Sequence, residues 1–408
     1  MSYEDCIIIG GGAAGLLAAA MLQLPDGRSG RILEATGQPG TKLRMSGGGH
    51  CNFTHSGPIR DFPACYGDAG RSIRKLLYRH NNENFVRFLA NHGVPSVTQA
   101  DGRVFPESMR ADDVLQALLY LAAENHFGLV RSTRVTSIEP GDSGNDCILR
   151  TSSGETFAAH TVIIATGGKS YPSTGSNGQF WDALHKGTGI RIAAARPALA
   201  PIHVEQYPYS DLAGLSFEHA LLTVTAPGRK IQSRAGSLLL THREFSGPAA
   251  LNLSVIAEPG TTLHVRYIDG KYGDTAAIAA SLQPELNRAG ADASSIIERD
   301  FSLPKRFARK LVQRAGVSPK RLAALLTDDC FTVSGLPDWN RAMVTRGGID
   351  RSEIDFRTMA LKSYPGIYAI GEAVDVDGLT GGYNLQFAYS SAAAAAEAVL
   401  SKLTGAEG

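Results

Sequence analysis

Residues 6–20 constrain this chain more than any other stretch. The apolar, β-branched run Cys6-Ile7-Ile8-Ile9 enters Gly10-Gly11-Gly12-Ala13-Ala14-Gly15, and the helix-forming segment Leu16-Leu17-Ala18-Ala19-Ala20 leaves it. In a Gly-x-Gly-x-x-Gly turn between strand and helix, each glycine has its own task. Gly10 permits the tight turn, Gly12 lets the backbone approach a pyrophosphate, and Gly15 lets helix and strand pack closely. The phosphates then sit over Ala13 and Ala14 at the helix N-terminus, where unpaired N–H groups and the helix dipole favour negative charge. About twenty residues further on, Arg31-Ile32-Leu33-Glu34 reads as a second strand, with Ala35 behind it. Glu34 ends that strand where an acid holds a ribose hydroxyl. A plain strand-to-helix turn would account for the glycines alone. Strand, helix and terminal acid together favour a dinucleotide.

The chain has 408 residues, which makes two or three domains the expectation. Hydrophobic residues make up 43% and charged residues 19%, the balance of a globular protein rather than a disordered one. Forty basic residues face 39 acidic ones, so net charge selects no class of partner. The five cysteines are scattered and odd in number, with no Cys-x-x-Cys, and suggest neither a zinc site nor a disulfide framework. A reducing cytoplasm is expected. The acidic start Met1-Ser2-Tyr3-Glu4-Asp5 leads straight into the nucleotide strand, so no export signal is expected. No apolar run reaches the roughly 18–20 residues of a membrane span.

Residues 37–54 are expected to be a loop too rich in glycine for a helix. Lys42, Ser46, Gly47, Gly48, Gly49, His50, Cys51 and Asn52 lie in it. Three adjacent glycines suit a backbone that closely approaches a flat ligand; a flexible surface loop is the alternative. Helical patterning follows over 70–92 and 112–125, then strands near 134–138 (holding Val135), 147–151 and 156–158. Thr161-Val162-Ile163-Ile164-Ala165 reads as a buried strand ending in the turn Thr166-Gly167-Gly168. From about Pro197 the texture becomes short β segments, and residues 275–335 turn helical with a basic cluster of Lys305, Arg306, Arg309, Lys310, Arg314, Lys320 and Arg321. From about Ala342 the first texture returns. A buried strand over 366–370 ends at Gly371-Glu372, and Gly381-Gly382-Tyr383-Asn384-Leu385 opens an Ala-rich helix. Ligands in open α/β sheets lie beyond the carboxyl ends of strands. Glu372 and Asp375, with Asp377, could therefore bond polyol hydroxyls, and the Gly382 turn could present N–H groups to an anionic flavin edge.

The expected fold class is α/β. A Rossmann-like domain built from residues 1–195 and 342–408 is split by a β-rich insert over 196–274 and a helical subdomain over 275–341. Taken together, Gly10–Gly15, Gly40–Thr54, Ala165–Gly178, Thr241–Pro248, Gly347–Gly348 and Gly371–Ala388 resemble the YhiN/BaiN-type flavoproteins of the glutathione-reductase-like (GR2-type) group. The resemblance spans nearly the whole chain. It implies non-covalent FAD, a split FAD-binding domain, and an insert with a β-barrel-like part and a small helical part. Two residues depart from the pattern: His50 stands where arginine is usual, and Glu244 where glycine is expected.

The flavin would carry the hydride chemistry, and the protein would orient and tune it. Only one Gly-x-Gly-x-x-Gly has the right flanks, so no resident NAD(P)H domain is expected: either NAD(P)H visits the flavin transiently or another reductant serves. Cys51, His50 and Tyr383 are the candidate catalytic residues, although a single cysteine or histidine is more often a packed one. Activities attributed to the family are reductions of an activated carbon–carbon double bond, either in uridine of ribosomal RNA or in a steroid-like enone. An FAD oxidase or dehydrogenase of a small amine or hydroxy compound is a second expectation. A flavin-containing RNA-binding factor without turnover is a third. The partner is a small molecule or ribosomal RNA, with no membrane and the oligomeric state open. Basic faces at Arg71–Arg79 and 305–321 bear on the RNA reading.

Overall fold

The computed structural model describes residues 3–141, 146–228 and 231–405. It divides into two units, one formed by residues 1–196 and 343–408 and the other by residues 197–342.

The first unit is built on a seven-stranded sheet. Five of its strands run parallel in the spatial order Tyr364–Ala369, Val162–Ile164, Cys6–Ile9, Gly30–Leu33, Phe127–Val130. Ala360–Leu361 and Ile354–Asp355 add an antiparallel edge. The central strand is wholly buried, as a parallel strand covered on both faces must be, and this explains the unbroken Cys6-Ile7-Ile8-Ile9 run. Each such aliphatic side chain contributes roughly 1.5–3 kcal/mol by leaving water. Helix Ala13–Met21 packs on helix Tyr383–Thr404, whose buried alanines let the two approach closely. An antiparallel meander of Val135–Pro140, Cys147–Thr151 and Thr156–Ala159 pairs with Tyr3–Glu4.

Register does the positioning. Ile9 pairs with both Leu33 and Ile164, and Ile164 pairs with Ala369. The ladder runs on past the strand ends, where Gly10 N bonds Leu33 O, Ala165 N bonds Ile9 O and Ile370 N bonds Ile164 O, each at 2.9 Å. Gly10, Glu34, Ala165 and Gly371 therefore leave the sheet at one level along one edge.

The second unit is a closed barrel of Ile202–Val204, Glu244–Ser246, Gln232–Leu240, Ser216–Thr225, Thr262–Arg266 and Asp329–Gly335. Four helices, from Thr275–Leu286 to Pro319–Thr327, connect the last two of these. Phe307 on helix Lys305–Ala315 fastens them to the barrel, its ring 4.7 Å from both Phe217 and Tyr267. Strand Asp329–Gly335 corrects the helical expectation for residues 275–341: its alternating burial is that of a barrel wall. Glu244, which stands where glycine is expected, begins a strand. Its fully buried carboxylate meets His203 and Arg341, and Gly247 at φ +85° takes the turn.

Candidate FAD site

The glycine turn is shaped by the backbone around it. A Cβ on Gly10, at φ +108°, would lie 2.4 Å from Ala165 O, and one on Gly15 would lie 2.0 Å from Gly10 O. Gly12 differs: a Cβ there would meet no protein atom within 4 Å, and its backbone is extended at φ −82°. The protein thus leaves open the one glycine at which a pyrophosphate is expected, with Ala13 and Ala14 opening the helix behind it. A Cβ on Gly167, at φ +69°, would lie 2.6 Å from Ser176 Oγ, and the neighbouring Thr166 hydroxyl is buried without a hydrogen-bond partner among the described residues. An open glycine and an orphaned hydroxyl at one sheet edge fit a bound dinucleotide.

Glu34 is buried, and its carboxylate accepts from Gly11 N (2.8 Å), Thr36 N (2.7 Å) and Thr36 Oγ1 (2.7 Å). A carboxylate has about four acceptor positions. Glu34 therefore braces the turn and keeps roughly one position for a ribose hydroxyl. Ala35 beside it is half-buried, and Val135 is buried at the start of the meander.

The loop after Gly40 is more ordered than its glycines suggest. Thr41–Met45 form a short helix, a correction to the expected loop. Gly47, Gly48 and Gly49 then all take positive φ (57°, 69° and 93°), a left-handed run that side chains resist. Asn52 ties this loop to the C-terminal helix: its amide oxygen faces Gly382 N at 3.1 Å and its NH2 faces Thr54 O at 2.9 Å. Ser46 bonds back to Leu43 O.

The acids expected to meet polyol hydroxyls have partners of their own. Glu372 accepts from Ser170 Oγ and Thr345 N, both at 2.8 Å, and pairs with Lys42, which also bonds Ser170. Asp375 accepts from Gly347 N at 2.9 Å, with Arg351 at 3.5 Å. Glu372, Asp375 and Lys42 are struts that tie together the loops around the sheet edge, and with at most three partners each the two carboxylates, like Glu34, keep acceptor capacity for a ligand hydroxyl. Gly371 permits the approach of the strand end to Ala14, since a Cβ there would lie 2.6 Å from that methyl. Asn384 likewise folds back on Gly378, giving and receiving hydrogen bonds at 2.9 Å, and Leu385 is half-buried beside it.

Of the catalytic candidates, Cys51 is the one the structure argues against. It is fully buried, and burial pushes its thiol up to about 12 against the smaller opposing effect of Ser46. It offers no thiolate near neutrality. His50 is exposed, its Nδ1 bonded to Met109 O at 2.7 Å. Tyr383 is half-buried in a cluster that sequence reasoning missed. Its ring stacks on His55 (5.6 Å) and meets Phe62 (5.2 Å) and Tyr66 (6.1 Å) edge-on. Burial, then a hydrogen bond with the Cys65 side chain, raises its hydroxyl well above the ordinary phenol range. His55 Nδ1 accepts from Gly57 N (3.0 Å) and Nε2 faces Asp101 O (3.1 Å), which fixes the Nε2–H tautomer. No spacing in the sequence marks His55, Phe62, Cys65 or Tyr66 as neighbours of Tyr383.

A parallel sheet with a glycine-lined strand edge and an open pyrophosphate position defines a dinucleotide-binding domain. The HI0933-like protein Rossmann domain matches residues 4–398, and this chain belongs to that family. It is an FAD-dependent oxidoreductase. It is 29% identical to the ribosomal RNA dihydrouridine synthase of Escherichia coli, over 97% of this chain and 98% of that one. It is 26% identical to the 3-dehydro-bile acid delta(4,6)-reductase of Clostridium scindens, over 94% and 96%. Among solved structures, the fold resembles the 3-ketosteroid-delta4-(5alpha)-dehydrogenase of Rhodococcus jostii, with a TM-score of 0.52, 15% identity and 97% of each chain covered. Among the described residues, no helix is long and apolar enough to cross a membrane.

Proposed function

We propose that this chain reduces the activated carbon–carbon double bond of uridine in ribosomal RNA, with a small enone as the second reading. FAD, when bound, supplies the hydride; Gly10, Gly12, Gly15, Glu34, Gly167 and Gly371 would hold it. Saturating the bond takes one hydride and one proton, and the observation that carries the reading is the aromatic cluster of His55, Phe62 and Tyr66 around a half-buried Tyr383, flat walls beside a hydroxyl that can give that proton. Tyr383, at the N-terminus of a long helix, stays protonated because burial disfavours its anion. Cys65 beside it can return a proton to the phenol oxygen after transfer, and the flat walls of His55 and Phe62 suit a planar substrate.

Exposed Arg71, Arg74 and Lys75 on helix Gly70–Arg79 support RNA over a small molecule, as do exposed Lys305, Arg309, Lys320 and Arg321 in the insert. The basic face is smaller than its sequence count. Arg306 bonds Asp211 O, Lys310 pairs with Asp211, and Arg314 holds Asp329. The full-length similarity to a bile-acid reductase supports the enone reading. Under the RNA reading the protein works in the cytoplasm, reduced transiently by NAD(P)H.

Nucleoside mass spectrometry of ribosomal RNA from cells with and without the gene tests this. Dihydrouridine should vanish on deletion, return with the wild-type gene, and return poorly with Tyr383→Phe, whose turnover should fall about 100-fold at unchanged FAD content. Unaltered RNA on deletion would end the RNA reading.

A further inference from the structure

We infer that the barrel insert carries a divalent-metal site of the zinc class, formed by His264, Asp328 and Cys330. His264 on strand Thr262–Arg266 pairs directly with Cys330 on strand Asp329–Gly335, and Asp328 caps the preceding helix Pro319–Thr327. His264 Nδ1 lies 2.8 Å from Asp328 Oδ1 and 3.3 Å from Cys330 Sγ, and the sulfur lies 3.5 Å from that oxygen. Ligand atoms around a tetrahedral zinc stand roughly 3.3–3.7 Å apart for bonds of about 2.0–2.3 Å. Two edges of this triangle already have that length, and the third needs to open by about half an ångström.

The arrangement is that of a metal site and not of a catalytic relay. In a Cys–His–acid relay the nucleophile and the orienting acid use opposite ring nitrogens. Here both face Nδ1, so three donor atoms converge on one point. The other ring nitrogen, Nε2, lies 3.0 Å from Thr225 Oγ1. A hydrogen donated there leaves the Nδ1 lone pair for the metal, the usual outer support of a ligating histidine. Asp328 and Cys330 are exposed, which admits the ion and leaves a fourth position for water. Sulfur, nitrogen and oxygen together favour zinc over the hard cations magnesium and calcium. Bound there, the ion would clamp a helix end to two barrel strands. The histidine is 66 residues from the cysteine, so no short motif announces the site.

The test uses the FAD-loaded full chain, stripped with a chelator and titrated with zinc chloride by calorimetry, with bound zinc counted by elemental mass spectrometry. One zinc per chain is expected, undisturbed by excess magnesium and accompanied by a higher unfolding temperature. Cys330→Ser and His264→Asn should each weaken binding 100-fold or more. Thr225→Val should weaken it about 10-fold or more. Cys65→Ser should bind as the wild type does. Equal competition by magnesium, or zinc binding unchanged in both Cys330→Ser and His264→Asn, would overturn the site. The flavin spectrum of each variant reports whether the chain has folded.

Discussion

The two glycine-rich segments of the FAD-binding unit share a composition and differ in what demands it. At Gly10 and Gly15 the demand is space, since neighbouring backbone oxygens stand 2.4 and 2.0 Å from where a Cβ would go. At Gly48 the space is empty and the demand is conformational, with φ at +69°. Gly47 combines the two, with φ +57° and Asn52 N 2.8 Å from its Cβ position. One segment is a packing joint and the other a left-handed bend, so equal substitutions should cost unequal amounts.

Gly15→Ala should be the largest effect, because neither oxygen-bearing backbone nor helix can retreat. A loss of about 3 kcal/mol or more, read by urea unfolding, is expected, and FAD should be lost with the fold. Glu372→Ala should come next. It takes the counter-charge from Lys42 and the acceptor from the Thr345 N–H, at a cost of about 2 kcal/mol. Gly48→Ala should cost only about 1 kcal/mol, the price of a left-handed alanine in open space. If Gly48→Ala proves as damaging as Gly15→Ala, the loop is a packing joint too, and the distinction fails.

The smallest effect concerns pH. Burial holds the Asp377 carboxyl above the ordinary carboxylate range, against the opposing pull of Arg346. The folded chain then keeps this proton more tightly than the unfolded chain does. Stability from this group is fullest in acid and falls as pH rises from its unfolded value through its folded one. Asp377→Asn should flatten that decline in urea midpoints measured from mildly acid to neutral pH. A steeper decline in the variant would contradict the assignment.

What was legible in the sequence was local. The strand, the glycine turn and Glu34 lie within one supersecondary unit, so spacing alone placed them. Hydrophobic patterning also marked the buried strands at 161–165 and 366–370 and the meander, but not the sheet strand Phe127–Val130 or the antiparallel edge. The struts were not legible, because Lys42, Ser170, Thr345 and Glu372 meet only after some 330 residues of chain have folded. Glu372 and Asp375 looked like free acids because a sequence does not show which donors will face them. Tyr383 was visible as a residue, but its aromatic surround was not. Cys51 looked reactive from its loop, and only burial showed otherwise. The short helix Thr41–Met45 was hidden by the glycines on either side of it.

Gly12→Ala tests the central claim most directly, because this is the glycine that the protein itself does not need. Its backbone is extended and its Cβ position meets nothing within 4 Å. The measurement is FAD affinity by titration of the apoprotein, paired with urea unfolding of the same sample. Stability within about 0.5 kcal/mol of the wild-type apoprotein, with FAD affinity at least roughly tenfold weaker, is the predicted result. Wild-type FAD affinity in a stably folded Gly12→Ala chain would show that the pyrophosphate does not lie there.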